Sequence, residues 1–119
     1  MKWSEDIINS VWEKARKVNE FDPTLFRIDA CGAWIMRDKY GKDHPFGWVI
    51  DHIYPVSKGG TDELYNLRPL QIENNMSKSD DFPSYISVVT AEGVENIHKE
   101  VSFTVNEEVR QILARHNLK

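Results

Sequence analysis

The stretch from Asp51 to Lys78 constrains this chain most, because it joins an acid–histidine pair, a glycine-rich loop and a polar segment. It reads D-H-I-Y-P-V-S-K-G-G-T-D-E-L-Y-N-L-R-P-L-Q-I-E-N-N-M-S-K. Hard divalent cations prefer oxygen ligands, which Asp51 and Asn75 can supply. His52 supplies an imidazole, the side chain that most often serves as a general base. The stretch therefore places groups suited to a divalent cation and to a general base in one compact segment.

Secondary-structure signals place this stretch in a strand–loop–strand–helix order. We expect strands at 47–51 and 67–70, because both runs are apolar and bounded by turn residues. A helix is expected at 72–79. Amphipathic patterns predict flanking helices at 3–18 and 104–117, capped in the second case by Thr104 or Asn106. Residues 85–89 read as extended, and 91–99 stay unassigned.

Four spaced elements of the stretch resemble the motif of the HNH endonucleases. In chain order they are Asp51-His52, the P-x-x-x-G-G loop from Pro55 to Gly60, Asn66-Leu67, and Asn75-x-x-Lys78. The wider run from Trp12 to Asp80 is similar to a bacterial and phage branch of that family. The resemblance implies an α+β fold, in which a ββα-metal motif at about 47–80 packs against N-terminal and C-terminal helices. It also implies that 1–119 is one nuclease-like domain, an endonuclease that hydrolyses DNA.

The resemblance implies a role for each polar residue of the motif. His52 and Asn66 are the predicted catalytic residues, with His52 as general base and Asn66 orienting its ring or tying the loop to it. Asp51 and Asn75 are the predicted ligands of one Mg²⁺ or Mn²⁺, and Asn74 is a rival to Asn75. Asp51 and His52 reach one site only where the strand ends or distorts, because neighbours on a regular strand point to opposite faces.

Three basic residues are predicted to contact the nucleic acid, namely Lys78, Lys58 and Arg68. Lys78 lies one helical turn beyond Asn75 and is expected on the same face. Outside the motif, Lys14, Arg16 and Lys17 are interpreted as a solvated helix face rather than as phosphate contacts.

The single cysteine, Cys31, argues against the structural zinc that many HNH proteins hold with two Cys-x-x-Cys pairs. Gln71 and Asn74 stand where the second pair would fall. We therefore expect no structural zinc, a buried and inert Cys31, and a core held by apolar packing. One cysteine also fits a reducing compartment.

Charge keeps a second interpretation open. Fifteen basic and nineteen acidic side chains give a net charge of −4, which counts against tight nonspecific binding to phosphate. The alternative is a nucleic-acid-binding or phage packaging-associated module that keeps the same frame without cleaving. A toxin with a partner inhibitor is a third reading, although toxic nucleases are usually basic. A coincidental acid–histidine pair on an apolar scaffold is the fourth.

The 119 residues fit one domain. No apolar run approaches the length of a membrane helix, and no signal-peptide pattern opens the chain. We expect no membrane partner and a cytoplasmic protein, with a phage or injected origin left open. The sequence does not predict protein partners or the role of 81–119.

Overall fold

The computed structural model describes residues 3–118, which form an α+β fold of three helices and three two-stranded antiparallel sheets. The predicted α+β class is thereby confirmed. The elements follow in the order α1 (Glu5–Trp12), β1 (Phe26–Ile28), β2 (Trp34–Met36), β3 (Trp48–His52), β4 (Leu67–Gln71), α2 (Ile72–Lys78), β5 (Ser84–Glu92), β6 (Glu95–Thr104) and α3 (Glu107–Arg115).

The β3–β4 hairpin and α2 match the predicted strand–loop–strand–helix order. Trp48 pairs with Gln71 at one end of the hairpin, and His52 pairs with Leu67 at the other. Helix α2 begins directly after β4, so it runs back beside the same hairpin. Gln71 caps α2, because its side-chain oxygen accepts a hydrogen bond from the Asn74 amide at 3.1 Å.

Helix α1 is shorter than the predicted span 3–18, because tertiary contacts redirect the chain after Trp12. The Lys14 ammonium donates to the carbonyls of Leu64 and Leu67. The Arg16 backbone pairs with Ile28 beside β1. The interpretation of 14–17 as a helix face was therefore wrong, and Lys14 instead ties the N-terminal segment to the start of β4.

Two apolar clusters hold the fold. The first lies between α1 and the hairpin, where the rings of Trp12 and Trp48 meet at 5.3 Å between centroids. The second lies under α3, where Leu113 packs with Tyr85 and Cys31. Cys31 is buried as predicted, and burial raises the pKa of its thiol to about 12. Little thiolate exists at neutral pH, which suits an inert cysteine.

The C-terminal third contains a strand that the sequence did not reveal. Strand β6 pairs with β5 from Ser84↔Thr104 to Glu92↔Glu95, so residue 104 ends a strand rather than opening a helix. Helix α3 begins later, after Asn106, whose side chain accepts from the Val109 amide at 2.8 Å. Among residues 3–118, no helix has the length and apolar character needed to cross a bilayer.

Candidate functional site

The loop between β3 and β4 closes on itself through its two glycines. A Cβ on Gly60 would lie 1.8 Å from the Tyr54 carbonyl oxygen, so only glycine fits there. Gly59 has φ of +103°, a conformation that other residues rarely adopt. The P-x-x-x-G-G pattern therefore has a steric cause: it brings the 59–62 segment back against the end of β3.

Asn66 fastens this loop from the inside. Its fully buried side chain accepts from the Tyr54 amide at 2.8 Å. It donates to the Tyr54 and Thr61 carbonyls at 3.0 and 2.9 Å. Asn66 was predicted to orient the His52 ring or tie the loop to it, but its hydrogen bonds hold the loop to itself, and its side chain makes no hydrogen bond to His52 within residues 3–118.

His52 occupies the end of β3, and its ring is held on two sides. Nε2 lies 2.7 Å from Oδ1 of Asp62, and the Trp3 ring lies 5.7 Å away between centroids. The side chain keeps 20% of its surface exposed. Its Nδ1 makes no hydrogen bond with residues 3–118.

Asp51 faces the interior and is paired with two cations. Its side chain is 4% exposed, its Oδ2 accepts from Arg68 Nε at 3.0 Å, and its Oδ1 lies 3.3 Å from Lys78 Nζ. Lys78 also donates to the His52 carbonyl at 3.1 Å, which joins α2 to the end of β3. Burial lowers the pKa of Lys78, although the Asp51 carboxylate opposes that shift.

The two members of the acid–histidine pair therefore lie on different faces of β3. Asp51 meets Arg68 and Lys78, whereas His52 meets Trp3 and Asp62. The strand remains regular through His52, which pairs with Leu67. The strand alternation that the sequence analysis raised as a difficulty thus holds, and the two side chains do not converge.

This placement does not fit a divalent cation held directly by Asp51. One carboxylate already faces the positive charges of Arg68 and Lys78, and a metal ion would add to that positive charge. Among residues 3–118, no group of three or more histidine, cysteine, aspartate or glutamate side chains could hold a metal. Asn75 is only half-buried, and its amide makes no hydrogen bond within the described part of the chain. Of the two predicted ligands, only Asn75 has a side chain that is partly exposed and not paired within residues 3–118.

Asn74 is excluded as the rival ligand because its amide is used inside the fold. Its oxygen accepts from the backbone amides of Val88 and Val89, at 2.8 and 2.9 Å. Its nitrogen donates to Asp29 and to the Val89 carbonyl. Asn74 therefore joins α2 to β5.

Asp29 is the centre of a hydrogen-bond network that the sequence did not reveal. Its carboxylate accepts from the amides of Cys31, Ala33 and Gln71 and from the Asn74 side chain. Burial raises the pKa of Asp29, and these hydrogen bonds oppose the shift. Gln71 and Asn74, at the positions of the missing cysteine pair, thus connect the hairpin to the rest of the fold.

The three basic residues predicted to contact nucleic acid differ in their placement. Lys58 is exposed on the loop. Lys78 has no exposed side-chain surface and Arg68 keeps 13%, because both are paired with Asp51. In this arrangement only Lys58 presents its charge to solvent, so Lys78 and Arg68 do not reach a phosphate.

The residue that the sequence analysis missed is Asp62. The only sequence signal for Asp62 is its position two residues after the glycine pair. That position does not predict where its side chain points. The contact with His52 depends on how the loop closes, through Gly60 and Asn66. Comparisons of the chain with models of protein families, with curated proteins and with solved structures found no match.

Proposed function

We propose that this chain is an HNH-type endonuclease that hydrolyses phosphodiester bonds of DNA, with His52 as its general base. The motif spacing from Asp51 to Lys78 and the strand–strand–helix order of β3, β4 and α2 support the proposal. The single observation that carries it is the placement of His52: the side chain is partly exposed, one ring nitrogen is bound to Asp62, and the other makes no hydrogen bond within residues 3–118.

In the proposed reaction, Nδ1 of His52 takes a proton from a water molecule. The oxygen of that water attacks the phosphorus and forms a new P–O bond, while the bond to the leaving sugar oxygen breaks. The leaving oxygen takes a proton from solvent. A positioned base of this kind contributes about 10²- to 10⁴-fold to the rate.

No step is assigned to a metal ion, because Asp51 is already paired with two cations. Lys58 is the proposed contact to the DNA backbone, since it is the exposed member of the predicted set. A reducing compartment such as the cytoplasm belongs to the proposal, because a single buried thiol forms no internal disulfide.

A second candidate is a module that binds nucleic acid on this frame without cleaving it. The observation in its favour is the same buried pairing, which leaves Asp51 unsuited to a metal site, together with the net charge of −4. The two candidates differ in one measurable property, the appearance of cut DNA.

The test is a nicking assay on supercoiled plasmid with the wild type and His52→Ala, each in Mg²⁺, in Mn²⁺ and in EDTA. We expect the wild type to nick and His52→Ala to lose at least about 100-fold in rate. His44→Ala is the matched control, because His44 receives a local hydrogen bond from the Phe46 amide and lies outside the motif.

Equal activity of His52→Ala and the wild type would remove His52 from the role of base. Binding of a labelled duplex without any cut product, in all three conditions, would favour the non-cleaving module. Activity in Mg²⁺ or Mn²⁺ that disappears in EDTA would show that a metal joins the site together with the DNA.

A further inference from the structure

Asp62 and His52 form a close pair at the surface of the loop. The 2.7 Å separation of Nε2 and Oδ1 is typical of a strong hydrogen bond to a carboxylate. Asp62 is 52% exposed and His52 is 20% exposed. Exposed pairs are often incidental, so the backbone that carries Asp62 decides whether this one is held in place.

The backbone beside Asp62 is anchored at several points. The carbonyl of Thr61 accepts from the buried Asn66 side chain at 2.9 Å, and its hydroxyl donates to Tyr65 at 3.3 Å. Gly60 packs against the Tyr54 carbonyl. The two residues before Asp62 are therefore fixed to the interior, which limits where its carboxylate can lie.

The His52 ring is restrained from its other side as well. Trp3 packs at 5.7 Å with the two ring planes tilted by 43°. The His52 carbonyl accepts from Lys78, which fixes the backbone below the ring. With Nε2 occupied, Nδ1 is the nitrogen that remains for a water molecule.

A carboxylate accepts hydrogen bonds and cannot donate one when ionised, so Nε2 must carry the hydrogen in this pair. A neutral imidazole has only one N–H, and the lone pair is then on Nδ1. The partner of one ring nitrogen thus decides which nitrogen acts as the base.

We infer that Asp62 is a positioning residue, which holds His52 in the Nε2–H tautomer and directs the Nδ1 lone pair toward the reacting water. This inference rests on the proposed function of His52 as base. Asp62 acts through the ring and does not touch the substrate.

The first experiment is spectroscopic and needs no substrate. Long-range proton–nitrogen correlation spectra of the full chain report the tautomer of each histidine, and the spectrum of His52→Ala identifies the His52 signals. We expect a single Nε2–H tautomer in the wild type and a mixture of tautomers in Asp62→Ala. Asp62→Asn keeps an oxygen that can accept the hydrogen bond, so an intermediate result is expected.

The second experiment is kinetic, on the same variants. Asp62→Ala should lower kcat for plasmid nicking by about 10- to 100-fold with KM little changed, because part of the contribution of a positioned base is lost. Glu63→Gln is the matched control, since it removes a neighbouring exposed negative charge that does not pair with His52. It should leave the tautomer and kcat unchanged.

The outcomes separate the two proposals. If His52→Ala abolishes nicking while Asp62→Ala changes neither the tautomer nor kcat, the positioning role is overturned and the nuclease proposal survives. If Asp62→Ala changes the tautomer but the wild type never nicks DNA, the contact is supported and the nuclease proposal fails. A loss in kcat shared equally by Glu63→Gln would point to local charge and overturn the inference.

Discussion

The two faces of β3 use charged side chains in opposite ways. On the inner face, Asp51 is nearly sealed from water and balances the cations of Arg68 and Lys78. On the outer face, His52 meets Asp62 where both keep contact with solvent. Residues that are adjacent in sequence thus serve the stability of the fold on one side and present a candidate base on the other.

The difference in burial predicts that the two charged clusters contribute differently to stability. A charge removed from water must be paired, because an unpaired buried charge is costly. An exposed pair between flexible side chains contributes little. The inner face is therefore predicted to control stability, and the outer face to control activity.

The largest expected effect follows from removing the inner charge. Asp51→Asn keeps the shape of the side chain but leaves Arg68 and Lys78 without their anion. We expect it to lower the free energy of unfolding by about 3–5 kcal/mol, measured by urea denaturation. The matched substitution on the outer face, Asp62→Asn, should cost less than about 1 kcal/mol.

A second substitution sharpens this comparison. Adding Lys78→Met to Asp51→Asn removes one of the two unpaired cations and should recover part of the lost stability. Losses of similar size for Asp51→Asn and Asp62→Asn would mean that burial does not distinguish the two faces.

The sequence predicted the part of the fold in which local signals agree. Apolar runs of strand-forming residues predicted β3 and β4, and the glycine pair predicted the turn in the loop between them. Asn66 was predicted to orient the His52 ring or tie the loop to it, whereas its three hydrogen bonds go to the backbone of Tyr54 and Thr61. The predicted convergence of Asp51 and His52 on one site was wrong, because the regular alternation of the strand points the two side chains apart.

The remainder depended on contacts that no local pattern contains. Helix α1 ends at Trp12 because Lys14 binds carbonyls far along the chain. The polar run 98–100 interrupts strand β6 and leaves apolar alternation only at Val101 and Phe103, which is too short a stretch to predict a strand. Lysine is rarely fully buried, so the sequence predicted an exposed Lys78 rather than the buried one that is found.

An effect that is absent at neutral pH should come from the interior beside Arg68. Burial raises the pKa of Cys31 from 9.0 to about 12, so the unfolded chain releases this proton at lower pH than the folded chain does. The stability that this thiol contributes is fully present below about pH 9 and is lost as pH rises toward 12. The expected slope is at most about 1.4 kcal/mol per pH unit.

Cys31→Ala provides the control for this alkaline loss. Urea midpoints of wild type and variant should differ by a constant amount between pH 7 and 8, and the difference should shrink as pH rises above 9. Tyr85, whose pKa is also raised by burial, contacts the Cys31 thiol at 3.6 Å, so it is replaced by phenylalanine in both proteins to remove its titration from the comparison. Parallel curves through pH 11 would show that the thiol does not titrate differently in the two states.

The smallest expected effect lies at Ser79, directly after the buried Lys78 and at the end of α2. Ser79 has φ of +49° and ψ of −128°, a conformation that strains any residue with a Cβ. Ser79→Gly should therefore raise the free energy of unfolding by about 0.5–1 kcal/mol, because relief of the strain exceeds the extra entropy of glycine in the unfolded chain.

Ser77→Gly is the opposing control: it lies within α2, where glycine is destabilising, and it also removes the hydrogen bond from Ser77 to the Ile86 carbonyl. Because neither substitution alters the pairing of Asp51 or the contact of His52, a change in plasmid nicking by Ser79→Gly would mean that the end of α2 communicates with the outer face.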